Sequence, residues 1–236
     1  MVEHYPEILR QFLDYQRKGG YQQIDKTTVD AAFVCGASQG ASDASKGTEP
    51  VNRKERFEYS QIVKPIEEVA LKSWAKQNNL WIDEKAFNVK YKNRFIGAGA
   101  EQKVYLSEDG LSVLKVNTGT FHSTWLEYFN RIICHGFLFP STRYSTVGFT
   151  TENESFAVVV KQPFFMLESG AKRNITEPFL NNHNFSRTKN DDYYNAELGI
   201  LLEDLHDENV FMEDDYLRIH STNPIFDYLF RWFTFA

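Results

Sequence analysis

Asp204 and Asn209 close the segment Asp204-Leu205-His206-Asp207-Glu208-Asn209, directly ahead of the apolar pair Val210-Phe211. A carboxylate so placed can take or orient the proton of an attacking hydroxyl, and an amide carbonyl offers a neutral oxygen to a hard cation such as Mg²⁺. The segment also fits an acidic surface loop, because Glu203, Asp207 and Glu208 are charged as well. Far upstream, Ile96-Gly97-Ala98-Gly99-Ala100 alternates two glycines in a stretch that reads as a hairpin. Without a Cβ, backbone amides come close to phosphate oxygens, although Gly-x-Gly more often marks a plain turn. Val113-Leu114-Lys115-Val116 follows, with a lysine between apolar neighbours on a strand. Facing inward, Lys115 could neutralise phosphate charge; on the outer face of an edge strand it would be solvated. Alternation fits both placements. Glu127 supplies the opposite charge on the next segment, where a solvated helix glutamate is the commoner case.

The elements that must position these residues are partly readable. Alternating stretches KAFNVKYKNRFIG, KVYLSED and LSVLKVN predict an antiparallel meander from about Phe87, with Asp109-Gly110 as a hairpin turn. Residues 121–135 predict a helix, and STVGFTTENES and FAVVVKQPF predict two further strands turning at Asn153-Glu154. About five strands and one helix are thus expected over residues 85–165. Ile62, Ile66, Val69, Ala70 and Trp74 predict the buried face of a helix over about 61–78. Residues 192–203 read as helix or extended chain, NVFM and YLRIH as strands, with Glu213-Asp214-Asp215 as their turn. Residues 5–18 suggest a short amphipathic helix, and the Gly/Ser-rich residues 36–50 a flexible linker. The expected division is an appendage with linker over 1–58 and a folded domain over 59–236.

Composition narrows the class. With 42% hydrophobic and 15% aromatic residues the chain can bury a core, which excludes wholesale disorder. A net charge of -6 without a basic stripe argues against a nucleic-acid partner. Two cysteines, Cys35 and Cys134, make neither a disulfide framework nor a zinc site. No apolar run reaches membrane-spanning length and no secretion signal opens the chain, so a reduced, cytoplasmic setting with no membrane partner is expected.

Taken in order, the glycine hairpin, the strand lysine, the helix glutamate and the DLHDEN loop resemble the protein-kinase-like superfamily. DLHDEN is similar to the aminoglycoside- and choline-kinase-like branch. Closer still is the kinase-like domain of polyvalent proteins from bacterial mobile elements and phages. That resemblance rests on EEVALKSWAKQNNLWIDE, IGAGAEQKVYL, HGFLFPSTRYSTVGF, VVVKQPF and LEDLHDENVF, spanning about residues 67–211. It implies an α+β, protein-kinase-like fold: an N-terminal antiparallel sheet lobe with one helix (about 85–162), a hinge at about 162–164 and a reduced C-terminal lobe (about 165–236). It implies ATP and Mg²⁺ as ligands. Gly97, Gly99 and Lys115 would meet phosphates, and backbone near Gln162 would meet adenine. Glu127 would orient Lys115, Asp204 would be the catalytic base and Asn209 a metal ligand. The substrate would be a hydroxyl on an unknown protein or small molecule.

Two departures stand out. Gln102 replaces the third glycine of the loop, and Ser221 stands where a second metal-binding aspartate is expected after the last strand. Asn223 could approach only as a neutral ligand, and Asp214 and Asp215 belong to the turn. The alternatives are therefore a pseudokinase that binds nucleotide or a partner without turnover, and a structural interaction domain with no nucleotide.

Overall fold

The computed structural model describes residues 25–43, 53–164, 173–189, 191–196, 200–203, 205, 209–213, 216–219 and 223–226. Of these, 25–133 and 143–164 form one compact unit, and 134–142 with the residues from 173 onward form a second.

The first unit is built on a five-stranded antiparallel sheet. Its strands are β1 (Phe95–Ala98), β2 (Gln102–Leu106), β3 (Ser112–Asn117), β4 (Ser145–Glu152) and β5 (Ser155–Pro163), in the order β1-β2-β3-β5-β4. The β2–β3 turn closes at Gly110 (φ 70°), with the Asp109 carboxylate accepting the Leu111 amide at 2.9 Å. The β4–β5 turn has Asn153 and Glu154 both at positive φ (49° and 69°), the two-residue geometry that matches strand twist. Both hairpins form at the turns expected from sequence, and five strands appear where five were expected.

Helices flank the sheet: α1 (Lys26–Asp43), α2 (Arg53–Gln77) and α3 (Glu84–Tyr91) precede it, and α4 (Trp125–Leu138) lies between β3 and β4. Alternation along β3 sorts its side chains. Leu114 and Val116 pack with Phe87 and Tyr91 of α3, together with Tyr105 and Val159. Lys115 lies opposite Val160 on the other face, where α4 covers the sheet through Trp125 on Phe156 (ring centres 5.1 Å) and Phe129 on Phe149 (6.3 Å).

In the second unit, α5 (Arg173–Asn181) is followed by β6 (Ser186–Arg187), β7 (Tyr193–Asn195), β8 (Ile200–Glu203), β9 (Val210–Glu213), β10 (Tyr216–Ile219) and β11 (Asn223–Phe226). β11-β8-β7-β6 make one sheet, while β9 and β10 pair as a hairpin. Tyr193, Ile200, Leu202 and Val210 are buried here, and Thr142 Oγ1 donates to the Ile219 carbonyl.

Several expectations need correction. Residues 36–43 are not linker: α1 runs through them, with Cys35 and Gln39 buried and Ser38 Oγ bonded to the Cys35 carbonyl. Gly36 and Gly40 sit within the helix with open space beside them, and burial of Cys35 and Gln39 is what the composition hid; residues 44–50 lie outside the described residues, as does the segment 5–18. KAFNVKYKN is helix, not strand. Asp83 caps α3 by accepting the Ala86 amide at 2.8 Å, and Phe87 and Tyr91 share one helix face. The buried face of α2 carries Val63, Glu67, Leu71 and Ala75, leaving Ile62, Ile66 and Val69 exposed. Residues 193–195 and 200–203 are extended.

The chain between α2 and α3 docks on β4. Ile82 N–H donates to the Phe149 carbonyl (2.7 Å), and Phe149 N–H donates to the Leu80 carbonyl (2.9 Å). Gly148 makes this approach possible, since a Cβ there would sit 2.5 Å from Ile82 Cδ1 and 2.8 Å from the Leu80 carbonyl oxygen. Gly148→Ala is therefore expected to destabilise the protein by about 1–3 kcal/mol, read as a lowered urea midpoint at unchanged m-value.

Candidate functional site

Lys115 is in the middle strand of the sheet and only 4% exposed, which removes the solvent-facing alternative. Its ammonium lies at the hydroxyl end of Tyr144, 3.5 Å from Oη and 5.1 Å from the ring centre. No carboxylate pairs with it among the described residues. Glu127 is engaged elsewhere: it receives Arg131 Nη2 at 2.7 Å and the Ser123 amide at 3.0 Å, while Thr124 Oγ1 accepts the Glu127 amide at 3.1 Å. Thr124-Trp125-Leu126-Glu127 is a capping-box sequence, and Glu127 acts here as part of the α4 cap.

The glycine hairpin joins β1 to β2. Gly99 N–H donates to the Gln102 carbonyl at 2.8 Å, and the space beside Gly97 and Gly99 is open. Glu101 ties this turn to the end of β3. Its carbonyl accepts the Thr118 amide (3.0 Å) and its Oε1 accepts Asn117 Nδ2 (3.2 Å). Its Oε2 is buried without a hydrogen bond, 3.8 Å from His122 Nε2. Gln162 on β5 is completely buried and its backbone pairs with Val113.

The start of α4 is held by a residue that the sequence reading passed over. Glu67 of α2, fully buried, accepts the Trp125 amide (2.6 Å) and the Leu126 amide (3.2 Å), and Gln39 Nε2 of α1 donates to it at 2.7 Å. Burial pushes its carboxyl up from 4.5 to about 7, against the pull of those three N–H donors. Lys64, one turn earlier, donates to the Gly119 and His122 carbonyls, and burial lowers its pKa. His122 is 7% exposed; burial, then the charges of Arg131 and Lys64, depress it from 6.5 to about 3, so it is neutral. Gly119 has φ 64°, and a Cβ there would meet Trp125 Cη2 at 2.8 Å, so the loop into α4 requires glycine twice over.

In the second unit, DLHDEN forms the connection from β8 to β9. Leu205 is buried and its amide donates to the Asp191 carbonyl at 3.0 Å. Asn209 directly precedes Val210, which pairs with Ile219 across the hairpin. Asp204, His206, Asp207, Glu208 and Ser221 lie outside the described residues. Among the described residues, no three His, Cys, Asp or Glu side chains group as metal ligands, and no helix is long and apolar enough to cross a membrane.

A family model described as Serine/Threonine/Tyrosine Kinase found in polyvalent proteins matches residues 64–222. The chain belongs to this family. No curated protein and no solved structure matches it. The kinase-like domain thus begins within α2, so the helix carrying Lys64 and Glu67 falls inside it. Sequence reading missed Glu67 because Glu68 beside it looks equivalent, and Tyr144 because an aromatic ahead of a strand reads as core. The capping box was the visible signal that Glu127 had a local task.

Glu67 and His122 pull stability in opposite directions. Glu67 keeps a proton in the fold that the unfolded chain releases between pH 4.5 and about 7, so its contribution is full at acid pH and declines as pH rises. His122 stays neutral in the fold while the unfolded chain protonates below pH 6.5, so its contribution is full above that pH and is lost toward about 3. The two slopes offset one another in the shared window. Glu67→Gln should uncover a stability that rises with pH between 4.5 and 6.5, and His122→Gln one that falls, each by on the order of 2–3 kcal/mol at most in urea titrations.

Proposed function

We propose that this kinase-like domain binds ATP on the α4 face of its five-stranded sheet and transfers the γ-phosphoryl group to a hydroxyl of a protein or small molecule. One observation carries the reading: Lys115, 4% exposed in the central strand, has no carboxylate partner among the described residues. A buried cation without a counter-charge is costly, and a phosphate group would supply that charge. The open glycine hairpin on the neighbouring strands supports the same ligand.

Asp204 takes the proton of the attacking hydroxyl as the γ-phosphorus–oxygen bond to ADP breaks and the new one forms. Gly97 and Gly99 bring backbone amides to the phosphates, and backbone near Gln162 meets the base. Mg²⁺, when bound, offsets phosphate charge, and Asn209 offers it a neutral oxygen. Replacing Lys115 by Ala is expected to weaken ATP binding about tenfold or more in calorimetry. Asp204→Asn should keep binding and slow transfer by about 10²–10⁴-fold.

A second reading, nucleotide binding without turnover, is favoured by Ser221 standing where an acidic metal ligand is expected. On that reading transfer is slow or absent, and Ser221→Asp strengthens Mg²⁺-dependent binding. If Asp207 or Glu208 reaches the metal instead, Ser221→Asp changes little and replacing those acids abolishes the Mg²⁺ dependence. No ATP binding by the unmodified protein at millimolar nucleotide would defeat both and leave a structural interaction domain.

A further inference from the structure

We propose that Tyr144, rather than Glu127, is the residue that positions Lys115. The purpose of this arrangement rests on the ATP reading above; its geometry does not. Lys115 needs a polar partner because its ammonium is buried, and the Tyr144 hydroxyl stands 3.5 Å away. The ring centre is 5.1 Å from Nζ, so the ammonium lies nearer the oxygen end of the ring and also within cation–π reach of it. Tyr144 sits one residue ahead of β4, and β4 pairs with β5, which pairs with β3. The hydroxyl is thus fixed to the sheet that carries Lys115, not to the helix that covers it.

Glu127 has the opposite situation. Its two oxygens are taken by Arg131 and the Ser123 amide, and its own amide is taken by Thr124. Turning it toward Lys115 would open the α4 cap and strand Arg131. The chemical consequence is a difference in charge. A carboxylate beside the lysine would cancel its charge before a ligand arrived. A neutral hydroxyl holds the ammonium in place and leaves its full charge for a phosphate.

The test uses the full chain with ¹⁵N-labelled lysines and follows the Lys115 side-chain ammonium, identified by its loss in Lys115→Arg. Tyr144→Phe keeps the ring and removes only the hydroxyl. It should shift the Lys115 signal without nucleotide, and should weaken ATP binding by about three- to tenfold. Glu127→Gln should leave both the signal and ATP affinity unchanged while lowering the melting temperature, because it damages only the cap. A Lys115 signal that moves in Glu127→Gln and stays still in Tyr144→Phe would overturn the assignment, as would a larger affinity loss in Glu127→Gln. If the unmodified protein binds no ATP, the function proposed above fails, and the ammonium signal still decides the role of Tyr144.

Discussion

The carboxylate of Glu67 meets the free amides at the start of α4, and most of the first unit is arranged around that contact. A helix leaves its first amides without internal partners. Here each is accounted for: Trp125 and Leu126 N–H bond to Glu67, Glu127 N–H to Thr124 Oγ1, and Tyr128 N–H to the Thr124 carbonyl. Partial positive charge at the helix start favours an acid there. Because Glu67 belongs to α2 and is also held by Gln39 of α1, one contact ties three helices together. Trp125, anchored this way, is completely buried and lies edge-on to Phe156 of β5. Lys64 secures the loop just before it, and Gly119 allows that loop to turn beneath the indole. The position of α4 over the sheet follows from these anchors.

Electrostatics on that side of the sheet are unusual in being spread out. Cations and anions are present, yet among the described residues the lysine at the centre, Lys115, meets the hydroxyl and ring of Tyr144 rather than an acid. Acids described on that side are occupied: Glu67 by α4, Glu127 by Arg131 and Glu101 by Asn117. These three carboxylates serve the α4 cap, an ion pair within α4 and the link from the glycine turn to β3.

What the sequence disclosed divides by the range of the interaction. Hairpins were legible because Asp109-Gly110 and Asn153-Glu154 announce themselves within a few residues. The strand holding Lys115 was legible from alternation, though its central place in the sheet was not, since strand order depends on pairings across the chain. α3 was misread as strand because Ala86 to Tyr91 alternates loosely, and the cap at Asp83 outweighs that pattern. The exposed stripe Ile62, Ile66, Val69 misled the choice of face on α2, where a buried glutamate displaced the apolar residues. Small residues around Gly36 read as linker because their composition hides a helix whose inner face is Cys35 and Gln39. The strand after DLHDEN was legible from its apolar run, whereas residues 192–203 were open between helix and extended chain.

The docking of residues 80–82 on β4 has a consequence for the chain's neighbours. An open outer strand offers amides and carbonyls to any passing extended segment. On this sheet Phe149 already spends both of its outward backbone groups on Leu80 and Ile82. The opposite border is β1, four residues long, with Phe95 and Ile96 half exposed. Strand addition by another polypeptide is thus obstructed on one margin and confined to a short stretch on the other. At Phe149, therefore, the edge is closed by the chain's own residues rather than left for a foreign strand.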